Sequence, residues 1–344
     1  MHIYQHNPTT CGRNLLQHKI FITRKSPNCV IGSMGNFFSH INSDFDASFC
    51  FFLLKKMSLS YKNEGTKISD IHLSHHIAES YFDFAEQFNL KSTFIKSKNH
   101  NLKKLVAEKG VPFICEVYSK NLKYHPLYKI NRWDLTHFLI ILDLDENDAF
   151  ISDCFIPKTD GAEIYEGKAS LKNLQKAWKQ NYYWYYDCPD IVPFIREYKI
   201  DNGLCRKIFF ENIHLFLTDS VYAQKRFAED FVSYPLKYKI NDIKKDLNNL
   251  CIQIQTLGLM ASRTYLKEFL EKHLGFTNPE VFSFIEKDIH EWHKICISIY
   301  KASLICTKEH FESIKKMILR ITDEEVYFFS KVLDELNQSK QRIN

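Results

Sequence analysis

The strongest constraint on the fold is a change in the sequence pattern near residue 200. Before it, strand-like segments such as VPFICEVY, HFLIILDL and AFISDCF alternate with helical patterns. After it, apolar residues recur at helical spacing almost to the C-terminus, and the last glycine is Gly275. The pattern therefore predicts an α+β domain over residues 1–195, followed by an all-helical domain over residues 196–344.

Three local signals predict individual helices within these domains. The segment IAESYFDFAEQFNL has the apolar spacing of an amphipathic helix and is expected to end at Asn89. The segment NLKKLVAEKG predicts a helix closed by Gly110. Thr322 and Glu325 have the spacing of a capping box, which predicts that a helix begins there.

The composition is that of a globular protein. The chain has 344 residues, of which 45% are hydrophobic and 25% are charged. The longest apolar runs, SFCFFLL and HFLIIL, are too short to cross a bilayer, so no membrane association is expected. Because the first residues show no basic region followed by an apolar core, no secretory signal is predicted. A cytoplasmic location is the resulting expectation.

The cysteine and charge patterns exclude several classes. Most of the ten cysteines lie in apolar runs, as reduced core thiols do, and no CxxC pair points to zinc or a disulfide scaffold. A net charge of +5 is too small to indicate nucleic-acid binding. One lysine cluster is either a solvated face or a docking strip for an acidic partner. It contains Lys96, Lys98, Lys103 and Lys104.

The most informative segment is THFLIILDLDENDAFISDCF, residues 136–155. Two strand-like runs flank the polar stretch DLDEND, which is typical of a β-hairpin. If the turn is centred near Asp145, the register places His137 opposite Asp153, with both side chains on one face. A carboxylate in that position holds an imidazole in one tautomer and stabilises its protonated form.

A candidate nucleophile lies in the segment NCVIGSMGNFF. Cys29 is at the predicted start of a helix, where free N–H groups and the helix dipole stabilise a thiolate. Gly32, Ser33 and Gly35 leave room for a substrate chain or for close helix packing. The order of Cys29, a histidine more than 100 residues later and then an acid is that of papain-like enzymes.

These motifs resemble a known family. CVIGSMGNFFSHIN, which begins at Cys29, and the hairpin with His137 and Asp153 resemble the papain-like fold of the bacteriocin-leader peptidases. They resemble more closely the N-terminal domain of the butirosin biosynthesis protein H family. The helical half, with ASRTYLKEFL, is similar to the domain appended in that family. The resemblance covers most of the chain and implies a papain-like catalytic domain with a helical C-terminal domain.

The resemblance also implies an activity. Such an enzyme takes an acyl group from the thioester of an acyl or peptidyl carrier protein and passes it through Cys29 to a small primary amine. The amine would be an amino sugar or a diamine, and the amide would belong to antibiotic biosynthesis. The carrier protein brings the phosphopantetheine, so no cofactor of the enzyme's own is expected. The helical domain is expected to cover the cleft and exclude water.

Two other function classes stay open. A cytosolic cysteine peptidase or amidase would use the same three residues, Cys29, His137 and Asp153, with water as the acceptor. A non-catalytic scaffold would retain the fold without the activity. The intact set of three residues disfavours the scaffold.

The groups that would bind the oxyanion depart from the family pattern. Leader peptidases of this fold carry a glutamine shortly before the nucleophile, whereas the expected position in this chain is Thr23. The nearby amides are Asn28 and, further away, Gln17. Both are candidates for substrate binding, as are Gly32 and Ser33, beside the backbone N–H of the nucleophile.

A rival nucleophile precedes Cys29. Cys11, in NPTTCGRNLL, stands before a glycine as in some papain-like transpeptidases. The apolar run after Cys11 is short and becomes strand-like, whereas the run after Cys29 has the length of a helix. The comparison favours Cys29.

The sequence HLSHH is the one candidate for a metal site. His72 has the helical spacing to His75 and His76 that two metal ligands on one helix face would need. No acidic or cysteine ligand stands at a convincing spacing, so a polar surface turn and no metal are predicted.

Overall fold

The computed structural model combines an antiparallel sheet with a helical C-terminal region. It describes residues 21–63, 71–97, 103, 106, 112–129, 136–158, 161–177, 183–188 and 190–341. The described strands are β1 (Ser60–Asn63), β2 (Ile71–Ser74), β3 (Thr93–Ser97), β4 (Phe113–Tyr118), β5 (Thr136–Leu144), β6 (Asp148–Lys158), β7 (Gly161–Ser170) and β8 (Tyr183–Asp187).

The helices divide between the two regions. Those of the mixed region are α1 (Cys29–Ile41), α2 (Ala47–Leu53), α3 (Ser80–Gln87), α4 (Leu171–Ala177) and α5 (Ile191–Glu197). Those of the C-terminal region are α6 (Asn202–Leu215), α7 (Val221–Phe231), α8 (Tyr234–Lys237), α9 (Ile240–Ile252), α10 (Leu259–His273), α11 (Pro279–Ile305) and α12 (Lys308–Gln341). Mixed helix and sheet with a helical C-terminal region is therefore confirmed. None of the described helices is both long and apolar enough to span a membrane.

The larger sheet has the strand order β3-β8-β4-β5-β6-β7, with every described pair antiparallel. Helix α1 packs on one face, where Ile31 and Met34 share a core with Phe138 and Ile140. On the other face, α4 covers a second core that includes Leu139. Side chains alternate between faces along a strand, so neighbouring residues of β5 serve different cores.

The register of the predicted hairpin differs from the expected one. Ile140 pairs with Ser152, and a bulge follows between Ile141 and Asp143. Extending this register by one residue places Leu139, not His137, opposite Asp153. The prediction of direct opposition was therefore wrong by two residues. An even offset leaves a side chain on the same face of the sheet, because side chains alternate with a period of two.

The helical region shares its cores with the mixed region. Phe52 of α2 stacks on Phe269 of α10, with ring centroids 4.3 Å apart. The β1–β2 ribbon packs into a core of the C-terminal helices, through residues such as Tyr61 and Leu73. The boundary between residues 195 and 196 stays a prediction.

A buried ionic network ties three C-terminal helices together. The Nε of Arg263 in α10 donates to Asp288 of α11 at 3.0 Å and to Glu325 of α12 at 2.9 Å. Burial, followed by the charge of Glu325, raises the pKa of Asp288. Trp292 also donates to Glu325, at 3.3 Å. Burial of a charge requires such pairing, so the network fixes the relative positions of these helices.

Two local predictions were wrong. No helix begins at Thr322: α12 runs through it, and the Thr322 hydroxyl donates to the Ile318 carbonyl at 2.8 Å. Glu325 pairs with Arg263 instead of capping a helix. His75 is not on a surface turn, because it is 1% exposed and its backbone N–H donates to the Leu257 carbonyl. The helix expected at IAESYFDFAEQFNL is present, whereas that at NLKKLVAEKG lies mostly outside the described residues.

We expect Gly35→Ala to destabilise the protein because α1 and α2 touch at this residue. A Cβ on Gly35 would lie 2.3 Å from the backbone nitrogen of Ala47, and neither helix backbone can yield easily. The free energy of unfolding should fall by about 1–3 kcal/mol. Urea unfolding followed by circular dichroism measures the change.

The control is Gly203→Ala, in the exposed first turn of α6. Its Cβ would meet only Oδ1 of Asp201, the N-cap of this helix, at 3.3 Å, so a shift of a few tenths of an ångström accommodates it. Alanine is the better helix former by about 0.5–1 kcal/mol, so this variant should be neutral or more stable. Equal losses in the two variants would contradict the packing argument.

Candidate functional site

The first turn of α1 holds the candidate nucleophile. Asn28 is the N-cap: its Oδ1 accepts from the backbone N–H of Val30 at 2.8 Å and of Ile31 at 3.1 Å. Cys29 is the first helical residue and is half-buried. The helix dipole and the N-terminal N–H groups stabilise negative charge at this position. The predicted helix start is confirmed.

The amide of Asn28 is used within the protein. Besides capping α1, its Nδ2 donates to the Thr256 carbonyl at 2.8 Å, and the residue is 2% exposed. The structure gives Asn28 a capping role, and its role in substrate binding stays a prediction. The N–H groups of Val30 and Ile31 are occupied by the cap. Among the described first-turn groups, this leaves the N–H of Cys29 as the donor suited to an oxyanion.

His137 and Asp153 are in contact. The Nε2 of His137 donates to Oδ2 of Asp153 at 2.7 Å, and the two residues are 3% and 0% exposed. Asp153 also accepts from the Tyr124 hydroxyl at 3.0 Å and from the Phe155 backbone N–H at 3.1 Å. A buried carboxylate with three donors is fixed in orientation and fixes the imidazole in turn.

Cys29 is within hydrogen-bonding reach of the His137 ring. Burial by itself lowers the pKa of His137, but the charge of Asp153 and then that of the Cys29 thiolate raise it, with hydrogen bonds from both, to about 10. Because Nε2 is bound to Asp153, Nδ1 is the nitrogen available to the sulfur. The structure thus brings together the three residues predicted to be catalytic.

Two residues near the site were missed. The ring of His125 lies edge-on to that of His137, with centroids 5.0 Å apart. Burial, followed by the charge of His137, lowers the pKa of His125 to about 3, and its Nδ1 accepts from the Leu127 backbone N–H. His125 is therefore neutral and packs against the His137 ring. Tyr124, the other missed residue, stacks on Tyr165 with centroids 3.9 Å apart.

Gly32 and Ser33 serve packing. A Cβ on Gly32 would lie 2.4 Å from the Cβ of Ser26 and 2.6 Å from the Sγ of Cys154. The Ser33 hydroxyl is buried and donates to the Phe138 carbonyl at 3.2 Å. Of the two uses proposed for this segment, the structure therefore favours close helix packing over room for a substrate.

Thr23 occupies the position where an oxyanion-binding glutamine was expected. Its hydroxyl is bonded to that of Ser152 at 2.7 Å, and the residue is 7% exposed. This contact holds the segment before α1 against β6.

Several of the residues predicted to belong to the site or to the lysine cluster lie outside the part of the chain that the structure describes. Cys11, Gln17, Lys98 and Lys104 lie outside the described residues. Lys96 lies in β3, and Lys103 is exposed. No group of three or more metal-binding side chains occurs in the described part of the chain. The docking strip stays a prediction.

Comparison with known proteins gives no family. No protein-family model matches the chain, and no curated protein matches it either. The assignment of chemistry therefore depends on the geometry of Cys29, His137 and Asp153.

We expect the ring of His137 to titrate with a midpoint near 10 when followed by NMR. Asp153→Asn should lower this midpoint by about 1–3 units, because Asp153 contributes most of the stabilising charge. Cys29→Ala should lower it by less. A wild-type midpoint near 6.5 would contradict the geometry.

The same shift makes a prediction for stability. A histidine whose pKa is higher in the folded state stabilises that state fully below its unfolded pKa of about 6.5. This contribution should be lost as the pH rises through about 10. The stability difference between wild type and His137→Gln, measured by urea unfolding, should therefore shrink over that range. A difference that grows with pH would contradict the assignment.

Proposed function

We propose that the chain is a cysteine-dependent acyltransferase that forms an amide from a carrier-protein thioester and a small primary amine. One observation carries the proposal: the His137 ring is hydrogen-bonded to buried Asp153 and also interacts with Cys29. Cys29 adds the helix N-terminus that favours a thiolate. This is the arrangement of a nucleophile, its base and the group that orients the base.

In the first half-reaction, the thiolate of Cys29 attacks the carbonyl carbon of the donor thioester. The Cys29 backbone N–H, in the first turn of α1, donates to the oxyanion that forms. Collapse of the intermediate breaks the bond to the carrier sulfur. The departing thiolate takes the proton held by His137, so the acyl enzyme contains a neutral imidazole.

In the second half-reaction, the amine nitrogen attacks the Cys29 thioester. His137 accepts the proton from that nitrogen, and the Cys29 thiolate departs as the amide forms. The electrostatics suit this order, because acylation removes the thiolate charge that raises the His137 pKa. His137 therefore becomes a better proton donor to the departing carrier thiolate while acylation proceeds, and it regains its proton at the end of the cycle.

A thioester donor makes a smaller demand on His137 as an acid than a peptide does. An amine leaving group must be protonated as it departs, whereas a thiolate can depart as an anion. A peptidase or amidase using Cys29, His137 and Asp153 is the alternative function.

The family resemblance and the fold give further support. A cysteine at a helix N-terminus, with histidine and aspartate on adjacent strands of a sheet, supports the papain-like catalytic domain that we propose from the sequence resemblance. The acyl or peptidyl carrier protein, its phosphopantetheine and a primary amine as acceptor are part of this proposal. An antibiotic pathway is its expected setting.

The first test concerns the nucleophile. A thiolate stabilised by a helix N-terminus and an imidazolium should react with limiting iodoacetamide near neutral pH before the buried thiols do. Peptide mapping by mass spectrometry should find Cys29 modified first. Cys50 and Cys115, whose pKa values burial raises, should be modified last. Preferential labelling of Cys11 would move the nucleophile there.

The second test concerns the acceptor. The protein is incubated with an acyl thioester of N-acetylcysteamine or of an acyl carrier protein, and intact mass spectrometry should show acylation lost in Cys29→Ala. His137→Ala should slow both half-reactions by at least 100-fold. Loaded enzyme is then given water with or without a diamine, and free acid and amide are measured. If free acid forms at the same rate with and without the diamine, and the protein also cleaves peptides, the peptidase is established instead.

A further inference from the structure

We propose that Tyr265, in the helical C-terminal region, is a positioning residue for Cys29. Its hydroxyl holds Ser26, and Ser26 belongs to the short segment that sets the N-terminus of α1. The inference rests on the proposed function only in taking Cys29 as the nucleophile. Its consequence is that both regions of the chain build one reactive centre.

The contact is direct and buried. The hydroxyls of Ser26 and Tyr265 are 2.7 Å apart, and the residues are 3% and 0% exposed. Ser26 is also held by its backbone N–H, which donates to the Cys154 carbonyl at 3.0 Å. The backbone N–H of Asn28 approaches the Ser26 hydroxyl at 3.5 Å. The Tyr265 hydroxyl is thus linked to Asn28, the N-cap residue before Cys29, through a single intervening residue, Ser26.

Tyr265 itself is rigidly placed. Its ring stacks on Phe51 of α2 with centroids 4.8 Å apart. Two residues earlier in the same helix, Arg263 is tied to Asp288 and Glu325. Burial raises the pKa of Tyr265, so the hydroxyl stays protonated and available for hydrogen bonding across the working pH range. A supporting group whose own rotamer is fixed can fix its partner.

A second contact from the helical region reaches the same segment. The Thr256 carbonyl, which accepts from Asn28, belongs to a single π-helical turn, Gln253–Leu257. Such turns change the direction of backbone carbonyls and often occur at functional sites. The turn ends at Gly258, where a Cβ would lie 2.8 Å from the Gln253 carbonyl oxygen. The chain before Cys29 is therefore held at two residues by the C-terminal region. Tyr265 holds Ser26, and Thr256 holds Asn28.

The contacts position the sulfur without touching a substrate. Losing the Tyr265 hydroxyl would allow the segment at Ser26 to shift. That shift would change the distance between the Cys29 sulfur and the His137 ring. Small displacements of a reacting group are costly in rate. We therefore expect the turnover number to fall while the Michaelis constant stays close to its wild-type value.

The experiment compares Tyr265→Phe, Ser26→Ala and the double variant in the full-length protein. Phenylalanine keeps the stack on Phe51 and removes only the hydroxyl. Each single variant should lower the rate of Cys29 alkylation by roughly 10-fold, as the loss of about one hydrogen bond implies. The double variant should be no slower than the slower single variant, because both changes remove the same contact.

The matched control is Tyr234→Phe. Tyr234 is also 0% exposed and shares a hydroxyl–hydroxyl hydrogen bond, at 3.2 Å to Tyr61, but it lies in the core of the C-terminal helices. It should lower the melting temperature as Tyr265→Phe does and leave Cys29 alkylation within 2-fold of wild type. Equal slowing in the control, or none in Tyr265→Phe, would overturn the inference.

A second measurement separates this inference from the proposed function. The NMR titration midpoint of His137 depends on its contact with the Cys29 thiolate and on no reaction. It should fall in Tyr265→Phe and stay at the wild-type value in Tyr234→Phe. A wild-type protein that fails to accept an acyl group, with these midpoints as expected, would refute the acyltransferase and retain the positioning role. If the Tyr265→Phe variant transfers the acyl group at the wild-type rate, the positioning role is refuted and the acyltransferase is retained.

Discussion

The close approach of α1 to its surroundings is the constraint on which the rest of the site depends. Glycine at positions 32 and 35 lets the helix touch Ser26 and Cys154 on one side and the start of α2 on another. A larger residue at position 32 would push the helix away from Cys154 of the sheet, and one at position 35 would push it away from α2. That distance decides whether the first residue of the helix can reach a histidine on β5. The geometry of the nucleophile is therefore a consequence of backbone packing several residues away from it.

In both regions, a buried charged side chain is paired with a side chain of opposite charge. His137 and Asp153 are almost inaccessible to solvent, and each is compensated by the other. Arg263 is likewise buried and compensated by Asp288 and Glu325. Removing one partner of such a group leaves an unpaired charge in a poorly polarisable surrounding, which costs far more than an exposed ion pair. The site inherits its rigidity from this pairing, because a group that must stay paired cannot change its rotamer freely.

The parts of this protein that sequence predicts well are those specified by neighbouring residues. The helix at Cys29 and the strands around His137 follow from local patterns. The hairpin register does not, because the turn is centred between Glu146 and Asn147 and not at Asp145, and the bulge after Ile141 removes only one residue of that offset. The spacing of Thr322 and Glu325 gave a wrong helix start, because the same spacing also occurs inside a helix. There Thr322 donates to the Ile318 carbonyl and Glu325 pairs with Arg263.

The remaining gap concerns contacts across the chain. Ser26 and Tyr265 are 239 positions apart, and neither stands in a motif. Nothing in the local pattern distinguishes this tyrosine from one that fills a core. The sequence suggested a helical domain that covers the cleft, which stays a prediction, whereas the described contacts reach the segment that enters α1. A domain that braces the nucleophile makes its folding a condition for reactivity, because the cap on α1 then needs a carbonyl at Thr256 that only the folded helical region supplies.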